Sequence, residues 1–96
     1  SGTPRINAAG HVALRLFADC SGVLKDIDTT RLAADRRVRE IVLKRCPGDS
    51  IQLPPVDYDS WLLGHVVYVP DQGLSIAEQN DHLASLVTIT GELTGA

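Results

Sequence analysis

The sequence predicts an α+β two-layer sandwich, and three observations indicate it. Residues 11–18 (HVALRLFA) alternate in polarity as a half-buried strand does, whereas residues 28–45 place apolar side chains at helical spacing. Residues 61–69 (WLLGHVVYV) are apolar on both faces, as expected of a strand inside a sheet. With the later elements the order is β-α-β-β-α-β, the ferredoxin-like arrangement, in which two helices cover a four-stranded antiparallel sheet. The alternative is a mostly-β small barrel with one long helix.

The first helix is predicted over residues 28–45, because Asp28 or Thr29 can cap its start and the turn CPGD ends it. Its buried stripe consists of four apolar residues at helical spacing, Ala34, Val38, Ile41 and Val42. The opposite side of this helix carries two leucines and two arginines, Leu32, Arg36, Arg39 and Leu43. Arginines that flank exposed leucines indicate either a docking face for an acidic partner or an ordinary solvated helix face.

The remaining elements follow from shorter patterns. Residues 50–53 predict a short strand, closed by two prolines. Ser75 and Glu78 have the spacing of a capping box, which predicts a second helix from Ile76 to about Ala84. The alternating stretch LVTITGEL predicts the last strand.

The predicted third strand, residues 61–69, lies at the centre of the sheet, with one face against the helices. Its other face has no cover within the chain and is expected to be an open apolar surface. Sequence alone does not decide which residues of this strand face outward. Phe17 is expected at this surface, together with either Trp61 and His65 or, if the other side of the strand faces outward, Tyr68.

Residues 1–10 are expected to be a disordered N-terminal lead or a vector-derived remnant. Residues 11–96 are expected to form a single domain, excised from a longer protein, since the chain contains no methionine. Membrane insertion is not expected, because no apolar run approaches the roughly 18 residues that a transmembrane helix needs. The sequence does not indicate a cellular location.

The charge of the chain is distributed unevenly. Residues 1–45 contain all nine Lys and Arg residues and five acids, whereas residues 46–96 contain seven acids and no Lys or Arg. Such asymmetry indicates a partner of opposite charge, or neutralisation between the two halves within one fold. Both interpretations remain open at this stage. Nucleic-acid binding is disfavoured, because it depends on neutralising phosphates and the net charge is −3.

Few residues indicate chemistry. Cys20, between a strand and a turn, is a weak candidate for a catalytic nucleophile, since no recognised motif surrounds it. Cys20 and Cys46 are expected to be free thiols. The acidic stretch DYDSW lacks the glycine and the glutamate of a calcium loop, and it is interpreted as a solvated loop. No metal site and no cofactor are predicted.

The leading functional hypothesis is a non-enzymatic protein–protein interaction or assembly module. It would use the basic helix face, the acidic second half and the open sheet face, and self-association is expected. One alternative is a regulatory domain that binds a small molecule as a dimer. The other is a small cysteine-dependent enzyme.

Overall fold

Two antiparallel sheets and two helices form the part of the chain that the computed structural model describes, residues 5–6 and 10–95. In chain order the elements are β1 (Arg5–Ile6), β2 (Val12–Phe17), β3 (Cys20–Asp28), α1 (Thr30–Ala33), β4 (Val38–Leu43), β5 (Ser50–Ile51), β6 (Leu62–Tyr68), α2 (Ile76–Ser85) and β7 (Thr88–Gly95). Residues 1–4 and 7–9 of the predicted N-terminal lead lie outside the described residues. Arg5–Ile6 pairs with β2.

The strands are divided between a four-stranded sheet, in the order β1-β2-β6-β4, and a three-stranded sheet, in the order β5-β3-β7. The chain passes from one sheet to the other between β2 and β3, across only Ala18 and Asp19. The predicted α+β class with antiparallel strands is therefore confirmed. The ferredoxin-like arrangement is wrong in detail, because its strands belong to two sheets and not to one.

The predicted helix over residues 28–45 is mostly a strand. Helical structure covers only α1, which starts where the Asp28 carboxylate accepts a hydrogen bond from the backbone N–H of Thr30 at 2.9 Å. In β4, Val38 pairs with Tyr68 and Ile41 with Val66, with a bulge between Val38 and Glu40. The bulge turns two residues three positions apart toward the same face. This spacing imitates helical periodicity, which explains the incorrect prediction.

β6 lies between β2 and β4, as predicted for a strand that is apolar throughout. Leu63, Val66 and Tyr68 face the core. His65 and Val67 lie on the opposite face. The expected open apolar surface is only partly apolar, because the cross-strand neighbours on that face are two charged side chains, Arg15 and Glu40, and two apolar ones, Ala13 and Val42.

The core fills the space between the two sheets and α2. Its fully buried members come from both sheets, α1 and α2: Val12, Leu24, Leu32, Ile51, Val66, Tyr68 and Leu83. The predicted cap by Ser75 is confirmed, since Ser75 Oγ accepts a hydrogen bond from the backbone N–H of Glu78 at 3.2 Å. Neither helix in the described part of the chain is long and apolar enough to cross a membrane.

Candidate interaction surfaces

The structure does not bring the eight predicted interface residues together on one surface. Leu32 is fully buried in α1, and Tyr68 is fully buried in β6. The Tyr68 hydroxyl donates a hydrogen bond to Oδ1 of Asn80 on α2, and burial raises the pKa of Tyr68. Leu32 and Tyr68 therefore hold the core together, and they are not accessible to a partner.

The aromatic residues Phe17 and Trp61 contact each other. Their ring centroids are 4.2 Å apart, slightly closer than the roughly 4.5–7 Å of most aromatic pairs, and the rings are tilted by 32°. Both side chains are half-buried, and Trp61 packs against the core. His65 is also half-buried, on the outer face of the four-stranded sheet, beside Arg15 of β2. The structure thus separates the aromatic pair from the predicted arginine face.

A network of ion pairs and hydrogen bonds joins the turn before β4 to α2. The guanidinium of Arg37, itself buried, donates to both carboxylate oxygens of Asp35 at 2.9 Å and to Oε1 of Gln79 at 3.3 Å. Gln79 Oε1 also accepts a hydrogen bond from the backbone N–H of Asp71 at 2.7 Å. The Arg37 guanidinium holds the pKa of Asp35 at about 2. We refer to Asp35, Arg37, Asp71 and Gln79 as the Arg37 network.

Ion pairs within the fold neutralise part of the charge asymmetry. Arg36 pairs with Asp71 through contacts of 2.8 and 3.0 Å. Arg45 pairs with Asp59 at 3.3 Å. Each pair connects the basic first half of the sequence to the acidic second half. Arg36, assigned by sequence to the docking face, is therefore already bound to a carboxylate of its own chain.

Basic and apolar side chains remain exposed along β4, an edge strand of the four-stranded sheet; Val42, paired with His65, lies on the outer face, and Leu43, paired with Gly64, on the opposite face. Val42 and Leu43 keep 37% and 40% of their surface exposed. Arg39 is exposed and donates to the backbone carbonyls of Arg36 and Val38, at 2.6 and 3.4 Å. Lys44 is exposed, and within the described residues neither Arg39 nor Lys44 pairs with a carboxylate. We refer to Arg39, Val42, Leu43 and Lys44 as the β4 edge.

A groove of about 320 Å³ lies between α2 and the two sheets. Apolar side chains from β2, β6 and the start of β7 line it, and two exposed aspartates, Asp19 and Asp81, stand beside them. Within the described residues, Asp81 makes no hydrogen bond or ion pair, and Asp19 contacts only the thiol of Cys20. We refer to this site, with Leu16, Phe17, Leu63, Val87, Asp19 and Asp81, as the α2 groove.

The loop between β5 and β6 carries two exposed apolar side chains that sequence reasoning missed. Val56 and Tyr58 are 76% and 73% exposed. Ser60 Oγ accepts from the backbone N–H of Gln52 at 2.8 Å and donates to its carbonyl at 3.3 Å, which ties the two ends of the loop together. In the sequence, the signal for exposed apolar side chains in this loop was the presence of large apolar residues among its prolines and aspartates. The described residues contain no cluster of potential metal ligands, here or elsewhere.

Cys20 and Cys46 are free thiols, as predicted. Burial raises the pKa of the Cys20 thiol, and the hydrogen bond and charge of Asp19 raise it further. A raised pKa keeps the thiol protonated near neutral pH, whereas a nucleophilic cysteine requires the thiolate.

Iodoacetamide near neutral pH is expected to alkylate Cys46 well before Cys20, because Cys46 is exposed and Cys20 is half-buried and protonated. Peptide mapping by mass spectrometry over time measures both rates. Cys20→Ser and Cys46→Ser variants are the matched controls, since each leaves one thiol to label. Faster labelling of Cys20 than of Cys46 would contradict the interpretation of Cys20 as a protonated thiol. It would support the alternative that the protein is a small cysteine-dependent enzyme.

Comparison with protein-family models, curated proteins and solved structures finds no match for the chain. Function is therefore argued from the geometry of the surfaces described above.

Proposed function

We propose that the protein is a non-enzymatic protein–protein interaction module that associates with further copies of itself through the β4 edge. The observation that carries the proposal is the combination of two exposed apolar side chains with two cations that have no carboxylate partner among the described residues. Val42 and Leu43 supply area that is favourable to remove from water. Arg39 and Lys44 supply charge that selects an acidic surface.

The structure of β4 favours contact through side chains over contact through the backbone. Exposed edge strands invite pairing with another chain, and proteins limit this pairing with bulges and charged side chains. β4 has both devices, a bulge between Val38 and Glu40 and the charges of Arg39 and Glu40, and Lys44 directly follows the strand. Such an edge discriminates against neutral or basic strands, while an acidic partner surface remains compatible with it.

The β4 edge replaces the helix face that the sequence predicts. Arg39 and Leu43 belong to both surfaces. Leu32 is excluded because it is buried, and Arg36 because it pairs with Asp71. Replacing Arg36 by an acid would break that ion pair, so Lys44 is the better second position for a test. The loop with Val56 and Tyr58 is apolar too, but the Asp59 carboxylate beside them already pairs with Arg45.

The Arg39→Glu, Lys44→Glu double variant is expected to be monomeric where the unmodified chain associates. Light scattering coupled to size-exclusion chromatography, across protein concentration and at low and high salt, measures this. Salt is expected to dissociate the unmodified assembly, because screening shortens the range of exposed charges. The unfolding free energy of the variant is expected to change by less than about 0.5 kcal/mol, since both residues are exposed and neither pairs with a carboxylate in the described part of the chain.

A matched control is Lys25→Glu, Arg31→Glu, which makes the same change in net charge at exposed positions outside the β4 edge. This control is expected to associate like the unmodified chain. Two results would overturn the proposal. One is a monomer at every concentration and salt; the other is an equal loss of association in both double variants.

A further inference from the structure

We infer that the α2 groove is the receptor for the β4 edge of a second copy, so that copies join head to tail. This inference rests on the proposed function and names the partner surface that it requires. The two surfaces share no residue, since none of the residues that line the α2 groove comes from the β4 edge. They adjoin at β6, where the backbone N–H of Lys44 donates a hydrogen bond to the carbonyl of Leu63 at 2.8 Å.

Charge and polarity are complementary between the two surfaces. The β4 edge offers two cations beside two apolar side chains. The α2 groove offers two carboxylates beside an apolar lining that includes the buried Leu16 and Leu63. The Asp81 carboxylate makes no hydrogen bond or ion pair within the described residues, and Asp19 contacts only a neutral thiol. Both acids are thus free to pair with incoming cations.

The size of the groove suits a few aliphatic side chains. Its volume of about 320 Å³ is about ten times the roughly 30 Å³ that one water molecule takes in the liquid. An exposed leucine and the methylene stem of a neighbouring lysine fit an opening of this kind, because the stem can lie on apolar surface while the ammonium reaches a carboxylate at its border. Leu43 is the exposed leucine of the β4 edge, and Lys44, the residue that follows the strand, is the lysine.

A head-to-tail contact has a consequence that a two-fold symmetric contact lacks. A copy whose β4 edge fills a neighbour's groove still has its own groove, so a chain of copies keeps a free groove at one end and a free β4 edge at the other. Heterologous contacts of this kind close into rings or extend into filaments. Assemblies larger than two copies are therefore expected at high protein concentration.

The test mixes two variants that are each blocked on one surface. Arg39→Glu, Lys44→Glu loses the β4 edge and keeps the groove. Asp19→Lys, Asp81→Lys loses the groove and keeps the β4 edge. Each variant alone is expected to have the mass of one chain in light scattering, and an equimolar mixture the mass of two chains. Growth stops there, because only one intact groove and one intact β4 edge meet.

A second acidic double variant, Asp26→Lys, Glu92→Lys, controls for charge at exposed positions outside the groove. It is expected to associate like the unmodified chain, and circular dichroism confirms the fold of every variant. If Asp19→Lys, Asp81→Lys still associates, the groove assignment is overturned while the proposed function stands. If both blocked variants are monomeric and their mixture is too, the head-to-tail arrangement is overturned. An unmodified chain that never associates overturns both proposals.

Discussion

Replacing Gly64 with alanine is expected to lower the free energy of unfolding by about 3 kcal/mol, a large part of the stability of a domain of this size. A Cβ atom at this position would lie 2.0 Å from the carbonyl oxygen of Val42 and 2.9 Å from the Cα of Leu43. Both atoms belong to the backbone of β4, so no side-chain rotation can relieve the contact. The alanine side chain must instead push β4 away from β6.

Denaturant unfolding followed by circular dichroism measures this effect, and Gly73→Ala is the control. Gly73 has φ +80, and a Cβ atom there has no neighbour within 4 Å. Gly73→Ala therefore incurs only the backbone strain of positive φ, about 1 kcal/mol. The difference between the two variants isolates the close approach of the strands. A loss at Gly64 no larger than that at Gly73 would contradict the packing described for β4 and β6.

At the contact between β4 and β6, the position of β6 could be predicted from the sequence, whereas the need for glycine at position 64 could not. The central position of β6 follows from its composition, since a strand that is apolar on both faces needs neighbours on both sides. The requirement for glycine at position 64 has no such signal. It arises where the backbone of β4 comes closest, and β4 itself was predicted to be a helix.

The incorrect helix has a physical origin in a single bulge. In a regular strand Val38 and Ile41 would face opposite sides. Core-facing residues would then be two positions apart, which is the spacing that indicates a strand in a sequence. The bulge at Val38/Glu40 places both on the core face, so that a spacing of three reflects an irregular strand. By contrast, the start of α2 was predictable, because the Ser75 cap depends on neighbours in the chain alone.

The candidate surfaces were predictable only in part for a related reason. Arg39 and Leu43 are exposed in the observed strand and were predicted to be exposed on the helix. Their prediction as surface residues was therefore correct although the helix was not. Whether a particular arginine is free depends on distant residues: Arg36 meets Asp71, 35 positions away. The α2 groove depends on contacts between four elements, and no local pattern marks Asp19 and Asp81 as neighbours of one opening.

Replacing Arg37 with methionine is expected to cost about 3–5 kcal/mol of stability, because the change leaves a partly buried carboxylate without its cation. Asp35 would lose both guanidinium bonds, and Gln79 would lose one of its donors. Arg36→Met is the matched control. Arg36 likewise forms an ion pair, with Asp71, but the Arg36 side chain is 78% exposed. That pair therefore contributes at most about 1 kcal/mol to the stability. Equal losses in the two variants would show that the Arg37 network does not stabilise the fold beyond an ordinary surface pair.

The pH dependence of stability gives the network a second signature. The pKa of Asp35 is held at about 2 in the folded chain against 3.8 ordinarily, first by the hydrogen bonds from Arg37. A carboxyl whose pKa is depressed by folding stabilises the fold above its unfolded pKa, and this stabilisation is lost as pH falls through the folded pKa. Asp35 thus contributes up to about 2 kcal/mol near neutral pH, and the contribution declines from about pH 5 to pH 2.

Removing Arg37 is expected to remove most of that acid sensitivity together with the stability. The unmodified chain should lose more unfolding free energy between pH 6.5 and pH 3 than Arg37→Met does, when both are measured by denaturant unfolding. Asp28 and Asp57, whose pKa values are also lowered by local hydrogen bonds, titrate in both chains and cancel in this comparison. Identical pH profiles would mean that the pKa of Asp35 is lowered by the hydrogen bond from the backbone N–H of residue 37 to Asp35 Oδ1, and not by the guanidinium. In that case the loss of stability in Arg37→Met would have to come from Gln79 and from packing.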